Sequence, residues 1–217
     1  MVKEEYRLRI TEVFLSLQGE SDTVGWPTVF IRLTGCPLRC NYCDTEYAFT
    51  GGESLTHDEI LAKVADFGVR HVCVTGGEPL SQKGVQLLMQ QLCDLAYQVS
   101  LETSGALDIA SVDKRVSVVM DIKTPSSGEV EKNLYSNIDH LKIDDQIKLV
   151  IADRADYEWS RKIIDERGLS DRAAVLLSPA FGQLDPKELA QWIIDDRLNV
   201  RFQLQLHKIL WGDEQGK

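Results

Sequence analysis

The feature that most constrains the fold is a recurring order of segments. Apolar, β-branched runs alternate with stretches of helical spacing about six times along the chain. Residues 28–35, 70–79, 98–105, 115–123, 145–152, 173–179 and 199–207 read as strands, and 7–20 begins as one before a polar turn. Residues 55–68, 84–97, 156–168 and 184–197 carry helical spacing. Thr56 with Glu59 three positions later predicts a capping box, and Gly68 a stop. Asp185, Pro186 and Glu188 mark the start of the last helix. Several strands are continuously apolar, the pattern of a parallel sheet covered on both faces. Units of this kind close into barrels or open doubly wound sheets. A full eightfold barrel takes about 250 residues, so 217 residues suit an incomplete one. The expected fold is α/β: a partial TIM-like βα barrel of about six parallel strands in a single domain, residues 1–217. Residues 124–133 form the most polar connection and are expected to be a mobile loop, with 208–217 a C-terminal tail.

Chemistry-bearing residues gather at the strand ends. Cys36 to Asp44, Gly76 to Pro79, Thr103 to Gly105, Lys123, Ser178 with Pro179, and His207 all fall at or just past the C-terminal end of a strand segment. In a parallel barrel those ends share one face, where ligand chemistry is done. Packing alone does not account for so many equivalent placements.

Charge and composition exclude other classes. The net charge is −10, which disfavours a nucleic-acid backbone binder, because phosphate contacts need excess Lys and Arg. The opening "MVKEEYRLRI" has no apolar core of a signal peptide, and no apolar run has the length of a membrane span. The expectation is a cytoplasmic protein with no nucleic-acid or membrane partner. Five cysteines, three of them crowded together, do not resemble a secreted disulfide framework.

Those three, Cys36, Cys40 and Cys43, lie in "CPLRCNYC" with spacing Cys-x3-Cys-x2-Cys. Thiolates suit zinc, copper(I) or iron–sulfur groups. A [4Fe-4S] cluster normally takes four thiolates, so three would leave one iron open to a small molecule. The competing reading is structural zinc, with Cys73, Cys93, His71 or His207 as the fourth ligand. Cys73 and Cys93 sit in apolar surroundings and read as core residues. "TGGEPL" (75–80) follows about one βα unit later, and its glycines let backbone approach closely.

"CPLRCNYC" and "TGGEPL" together resemble the signature of the radical S-adenosylmethionine enzymes. With "FLSLQGE" (14–20), "CDTEYAF" (43–49) and "LETSG" (101–105) they resemble the 7-carboxy-7-deazaguanine synthase family. The resemblance runs from about residue 10 to "QLHK" and is strongest in the first half. It implies a lyase that converts 6-carboxy-5,6,7,8-tetrahydropterin to 7-carboxy-7-deazaguanine and ammonia, on the route to queuosine. The reaction would start from a 5′-deoxyadenosyl radical. The implied cofactors are a [4Fe-4S] cluster, S-adenosylmethionine and Mg2+. The implied partners are a reductant such as flavodoxin and a second copy in a homodimer.

The resemblance also assigns residues. Cys36, Cys40 and Cys43 would hold the cluster, and Thr45 in "CDT" the Mg2+. Tyr42, Cys43, Asp44, Gly77, Glu78, Asp121, Ile122, Lys123 and Ser178 would line the S-adenosylmethionine pocket, Glu78 accepting from an ammonium group. Leu17, Gln18, Gly19, Arg32 and Thr75 would meet the substrate, with Arg32 on its carboxylate. The chain departs from the family in three places. Ser21 follows "QGE" where glycine is usual, Asp121-Ile122 precedes Lys123 where Ser-Pro is common, and the chain continues past His207-Lys208. The rivals are a glycyl-radical-enzyme activase, which shares the cysteine spacing, and a non-catalytic zinc module.

Overall fold

The computed structural model describes residues 6–212 and 214–217. Its frame is a nine-stranded sheet built from β1 (Arg7–Leu17), β2 (Pro27–Leu33), β3 (Glu53–Thr56), β4 (His71–Gly76), β5 (Gln98–Thr103), β6 (Ser117–Asp121), β7 (Gln146–Ile151), β8 (Ala174–Pro179) and β9 (Arg201–Phe202). The order is β3-β1-β2-β4-β5-β6-β7-β8-β9. From β2 onward every neighbouring pair is parallel. Six of these strands are five to seven residues long, and β9 adds a two-residue seventh. This is the partial barrel expected from the alternation.

Helices α1 (His57–Asp66), α2 (Val85–Asp94), α3 (Arg154–Glu166), α4 (Leu169–Arg172), α5 (Pro186–Asp196) and α6 (Leu206–Trp211) complete the chain. The capping box of Thr56 and Glu59 forms at the start of α1 as the sequence predicts. Asp185 caps α5 with Pro186 at its first position. Helix α3 starts two residues earlier than expected because Asp153 accepts from the Asp156 backbone N–H.

Alternate residues of the parallel strands point to opposite faces. Val29, Ile31 and Leu33 of β2, Val72 and Val74 of β4, Val99 and Leu101 of β5, and Ile147, Leu149 and Ile151 of β7 join one core. It also takes in Leu88, Leu92, Tyr157, Ile164 and Leu189 from the helices. The helices therefore cover one face only. The expectation of a sheet covered on both faces is corrected here. Apolar Val119 and Val150 on the other face line a cavity and make β6 and β7 read as continuous runs.

Three further expectations change. β1 and β3 lie antiparallel at one margin, so the stretch before α1 is strand and not helix start. The segment read as strand 199–207 keeps only β9, and His207 belongs to α6. The polar connection 124–133 is not an open loop. It holds short helical turns at Pro125–Ser127 and Val130–Lys132, with Thr124 and Ser127 fully buried. Among the described residues, no helix is long and apolar enough to cross a membrane.

Candidate active site

The uncovered face of the sheet encloses a cavity of roughly 640 Å³. Its floor alternates with the core. Phe30 and Arg32 come from β2, Thr75 from β4, Glu102 from β5, Val119 and Asp121 from β6, and Lys148 and Val150 from β7. β1 joins this wall through a bulge between Ile10 and Glu12. Leu8 and Ile10 face the core, and the extra residue reverses the alternation, so that Phe14 reaches the cavity. Glu12 thereby comes opposite Arg32.

The cysteine segment leaves β2 through Gly35, whose φ of +96° favours glycine. The Gly35 N–H donates to Ala48 O at 2.8 Å, closing the segment into a loop. Within it, Cys43 N–H donates to Cys40 O at 3.1 Å. The Arg39 guanidinium stacks 4.2 Å from the Phe49 ring and donates to the carbonyls of Cys36 and Leu38. The turn carrying Gly76 and Gly77 packs directly beneath. Gly77 N–H donates to Leu33 O and Glu78 N–H to Gly35 O, at 3.1 and 2.8 Å. A Cβ on Gly77 would sit 2.1 Å from Gly35 O and 2.9 Å from Cys36 Cβ. The second glycine motif is thus shaped to seat the first cysteine.

All three thiols are free, half-buried and turned to the same cavity. Burial pushes the Cys36 and Cys40 thiols above the usual value, and neighbouring thiols add to this while Lys123 opposes it. Half-buried thiols become thiolates when a cationic centre binds them. Among the described residues, no three His, Cys, Asp or Glu side chains converge on one ion. A cluster places each thiolate on its own iron, so thiols spread around one wall fit it. Tyr42, Asp44 and Thr45 line the cavity beside them, and Thr45 Oγ1 lies 3.8 Å from Cys43 Sγ.

Lys123 and Asp121 form a half-buried ion pair at 2.5 Å in the same wall. Burial works against the lysine charge, but Asp121, Cys40 and Tyr42 outweigh it and keep Lys123 protonated. Deeper along the floor runs a polar rail. Gln18 Nε2 donates to Glu102 Oε1 at 3.3 Å and Thr75 Oγ1 to Glu102 Oε2 at 2.8 Å. Lys148 pairs with Glu20 Oε2 at 2.5 Å, while Glu20 Oε1 is buried with no partner among the described residues. Burial also opposes the Lys148 charge, and Glu20, Asp121 and Glu102 more than restore it. His207 stands over this rail, its pKa held below the usual value by burial. Arg32 Nε donates to Glu12 at 2.7 Å, and Tyr47 OH donates to the same oxygen at 2.8 Å. Among the described residues no other hydrogen-bond partner takes the rest of the Arg32 fork.

Of the expected residues, the structure brings Leu17, Gln18, Arg32, Cys36, Cys40, Tyr42, Cys43, Asp44, Thr45, Thr75, Gly77, Asp121 and Lys123 to this one cavity. Four lie elsewhere. Glu78 is a correction. Its carboxylate is fully buried and accepts from Thr103 Oγ1, Ser104 N and Oγ, and Leu80 N. It ties the glycine turn to the end of β5 and has no oxygen left for an ammonium group. Gly19 packs against His207, where a Cβ would meet Nδ1 at 2.2 Å. Ile122 belongs to the apolar core, so only its backbone is near the cavity wall. Ser178 is buried with an unpartnered Oγ. Sequence reasoning missed Glu12, Glu20, Glu102, Lys148 and Tyr47. Charged residues inside otherwise apolar strands, as in "SLETSG" and "IKLVIA", were the available signal.

The comparisons agree with this architecture. The model of the radical SAM superfamily matches residues 30–152. A 7-carboxy-7-deazaguanine synthase of Chlorobaculum tepidum is 45% identical over 97% of this chain and 97% of its own length. The enzyme of that name from Thermoplasma acidophilum is 35% identical over 95% of this chain and 99% of its own. Among solved structures, QueE from Escherichia coli superposes with a TM-score of 0.77 at 23% identity, covering 93% of this chain and 95% of that one. SuiB from Streptococcus suis, bound to S-adenosylmethionine, reaches a TM-score of 0.55 at 17% identity, covering 79% of this chain and 45% of that one. Both solved structures share the fold. With the cysteine triplet seated on its glycine turn and relatives matching along almost the whole length, the chain belongs to the 7-carboxy-7-deazaguanine synthase family of the radical SAM superfamily.

Proposed function

We propose that the chain is a lyase that turns 6-carboxy-5,6,7,8-tetrahydropterin into 7-carboxy-7-deazaguanine and ammonia. One observation carries this reading: a single cavity joins three free thiols to an arginine fork with unused donors. A thiol-held cluster at one wall and a carboxylate on Arg32 at another would place both reactants in one enclosure. Membership of the family, established over nearly the full chain, supports the same reaction. It gives no support to a glycyl-radical activase or a zinc module.

Bound in this cavity, a [4Fe-4S] cluster and S-adenosylmethionine would supply the radical chemistry needed for hydrogen abstraction from the pterin. The protein's own groups do the rest. Cys36, Cys40 and Cys43 hold the cluster. Tyr42, Asp44, Gly77, Asp121 and Lys123 surround the S-adenosylmethionine, with the backbone of Ile122 and Ser178 close behind. The Lys123–Asp121 pair presents one charge of each sign to its zwitterionic end. Thr45 would offer a hydroxyl oxygen to Mg2+, a hard cation suited to oxygen ligands. Glu12 orients Arg32 through Nε, leaving the fork for the substrate carboxylate. Leu17 and Gln18 lie against the pterin, and Gly19 lets His207 close over them. Glu102, already accepting from Gln18 and Thr75, fixes both side chains in the orientation they present. Glu20 Oε1 is free to accept from an N–H edge of the ring. Phe14, Phe30, Leu38, Val119 and Val150 line the remaining wall and keep water from the reacting carbon.

The protein works in the cytoplasm as a homodimer and takes its electron from a flavodoxin-type reductant. Val24 and Trp26, exposed on the β1–β2 connection, offer apolar surface to a second copy. The test is anaerobic reconstitution with iron and sulfide. S-adenosylmethionine, dithionite, Mg2+ and the carboxypterin are then added, and products are read by mass. The deazaguanine is expected. If 5′-deoxyadenosine forms while the pterin is untouched, the substrate is wrong and the superfamily chemistry stands.

A further inference from the structure

The cysteine loop contains no strand or helix between Cys36 and Thr45, yet three thiols must keep fixed spacing. Its restraint comes from outside. Residues 39–42, between the cysteines, are strapped at four points to the 124–129 segment. Arg39 N–H donates to Glu129 Oε1 at 2.5 Å, and Asn41 N–H to Ser127 O at 3.0 Å. Asn41 Nδ2 donates to Ser126 O at 3.0 Å, and Tyr42 OH lies 3.3 Å from Thr124 Oγ1. The strap needs its own anchor, because 124–129 is built of short turns with no strand pairing of its own.

That anchor is Asp156, on the first turn of α3 and fully buried. Its Oδ1 accepts from Ser126 N–H at 3.0 Å. Its Oδ2 accepts from Ala152 N–H at 3.0 Å and faces Thr124 Oγ1 at 3.1 Å. A threonine hydroxyl has one proton to give and lone pairs to receive. Thr124 shares its proton between Asp156 Oδ2 and the carbonyl oxygen of Val150, 2.9 Å away, and its lone pairs receive the proton of Tyr42. The chain of contacts then runs from the α3 carboxylate through the turn to the residue before Cys43. Gly128, at φ +76°, lets the segment lie close, since a Cβ there would be 3.3 Å from Asn41 Nδ2.

We infer that Asp156 is a positioning residue for the cluster: it fixes the Thr124–Glu129 turn, which in turn sets the spacing of Cys40 and Cys43. This rests on the reading of Cys36, Cys40 and Cys43 as cluster ligands. Asp156→Asn is the sharp variant. Backbone N–H groups point at both carboxylate oxygens, so either orientation of the amide sets its NH2 against a donor.

The test compares Asp156→Asn, Thr124→Val, Thr124→Ser and Asn41→Ala with the wild type. Iron and sulfide per chain are measured after anaerobic reconstitution, followed by the rate of iron loss to a chelator. Amide exchange of residues 36–45 is read in the protein before reconstitution. Asp156→Asn and Thr124→Val should lose iron about tenfold faster, the weight of one lost hydrogen bond on a charged group. Exchange should rise in 36–45 and 124–129 and stay unchanged in β4 and β5. Thr124→Ser should match the wild type, and adding S-adenosylmethionine to reduced Asp156→Asn should give a broadened electron paramagnetic resonance signal. If Asp156→Asn does not fold, Thr124→Val and Asn41→Ala carry the same comparison. Wild-type rates of iron loss and amide exchange in all folded variants would overturn the inference. A wild type that takes up no iron or sulfide would instead overturn the reading beneath it.

Discussion

The two faces of β5 do different work. Val99 and Leu101 point into the helix-covered core, while Glu102, the next residue, accepts two hydrogen bonds inside the cavity. β7 repeats the division, with Leu149 in the core and Lys148 paired to Glu20. One strand therefore carries stability on one side and chemistry on the other. In a closed TIM barrel the interior is packed by apolar layers. Here the barrel is incomplete, and its interior sets charge pairs beside apolar side chains around a cavity.

The largest expected effect tests the cavity side alone. Cys40→Ser should abolish product formation and lower the iron held per chain, while the thermal midpoint of the unreconstituted protein stays near wild type. A matching loss of stability would merge the two faces into one. Leu101→Ala tests the other side. It should cost about 3.5 kcal/mol in denaturant unfolding by leaving a hole under α2, with kinetic constants unchanged where the protein is folded.

Lys148→Met crosses the division. It leaves Glu20 buried without its cation and should cost about 3 kcal/mol, and activity as well. Adding Glu20→Gln should return most of the stability but not the turnover. Arg32→Gln should lower kcat/KM about thirtyfold, chiefly through KM, by removing a charge-assisted contact of about 2 kcal/mol. A substrate analogue without its carboxylate should be indifferent to that change.

The smallest effect is in pH. Burial lowers the His207 pKa below 6.5, so folding favours the neutral ring. The unfolded chain binds the proton first, and this contribution to stability is whole above pH 6.5 and declines as pH falls through and below it. His57 shifts in the same direction for the same reason. The difference in thermal midpoint between wild type and His207→Gln, followed from pH 8 to 5, isolates the cavity histidine. A difference that does not change with pH would place His207 in water.

Ser21 shows how a local departure becomes legible only in three dimensions. It sits at φ +67°, a conformation that favours glycine, which explains why glycine is usual there. Its hydroxyl bonds Thr23 Oγ1 at 3.0 Å, a local compensation for the strain. The bulge in β1 is similar. Nothing in "RLRITEVFLSL" announces which residue is extra, yet it decides that Glu12 meets Arg32.

The alternation of segments, the caps of α1 and α5, the cysteine triplet and the glycine turn were legible because each is written within a few neighbouring residues. Local sterics and hydrogen bonding act at that range. Tertiary structure alone decided that Glu20 pairs with Lys148 across 128 positions, that Glu78 serves the turn and not a ligand, and that Asp156 holds the loop from another helix. Those partners are chosen by the closure of the sheet, which brings distant carboxylates and donors out of water together and makes leaving any of them unpaired costly.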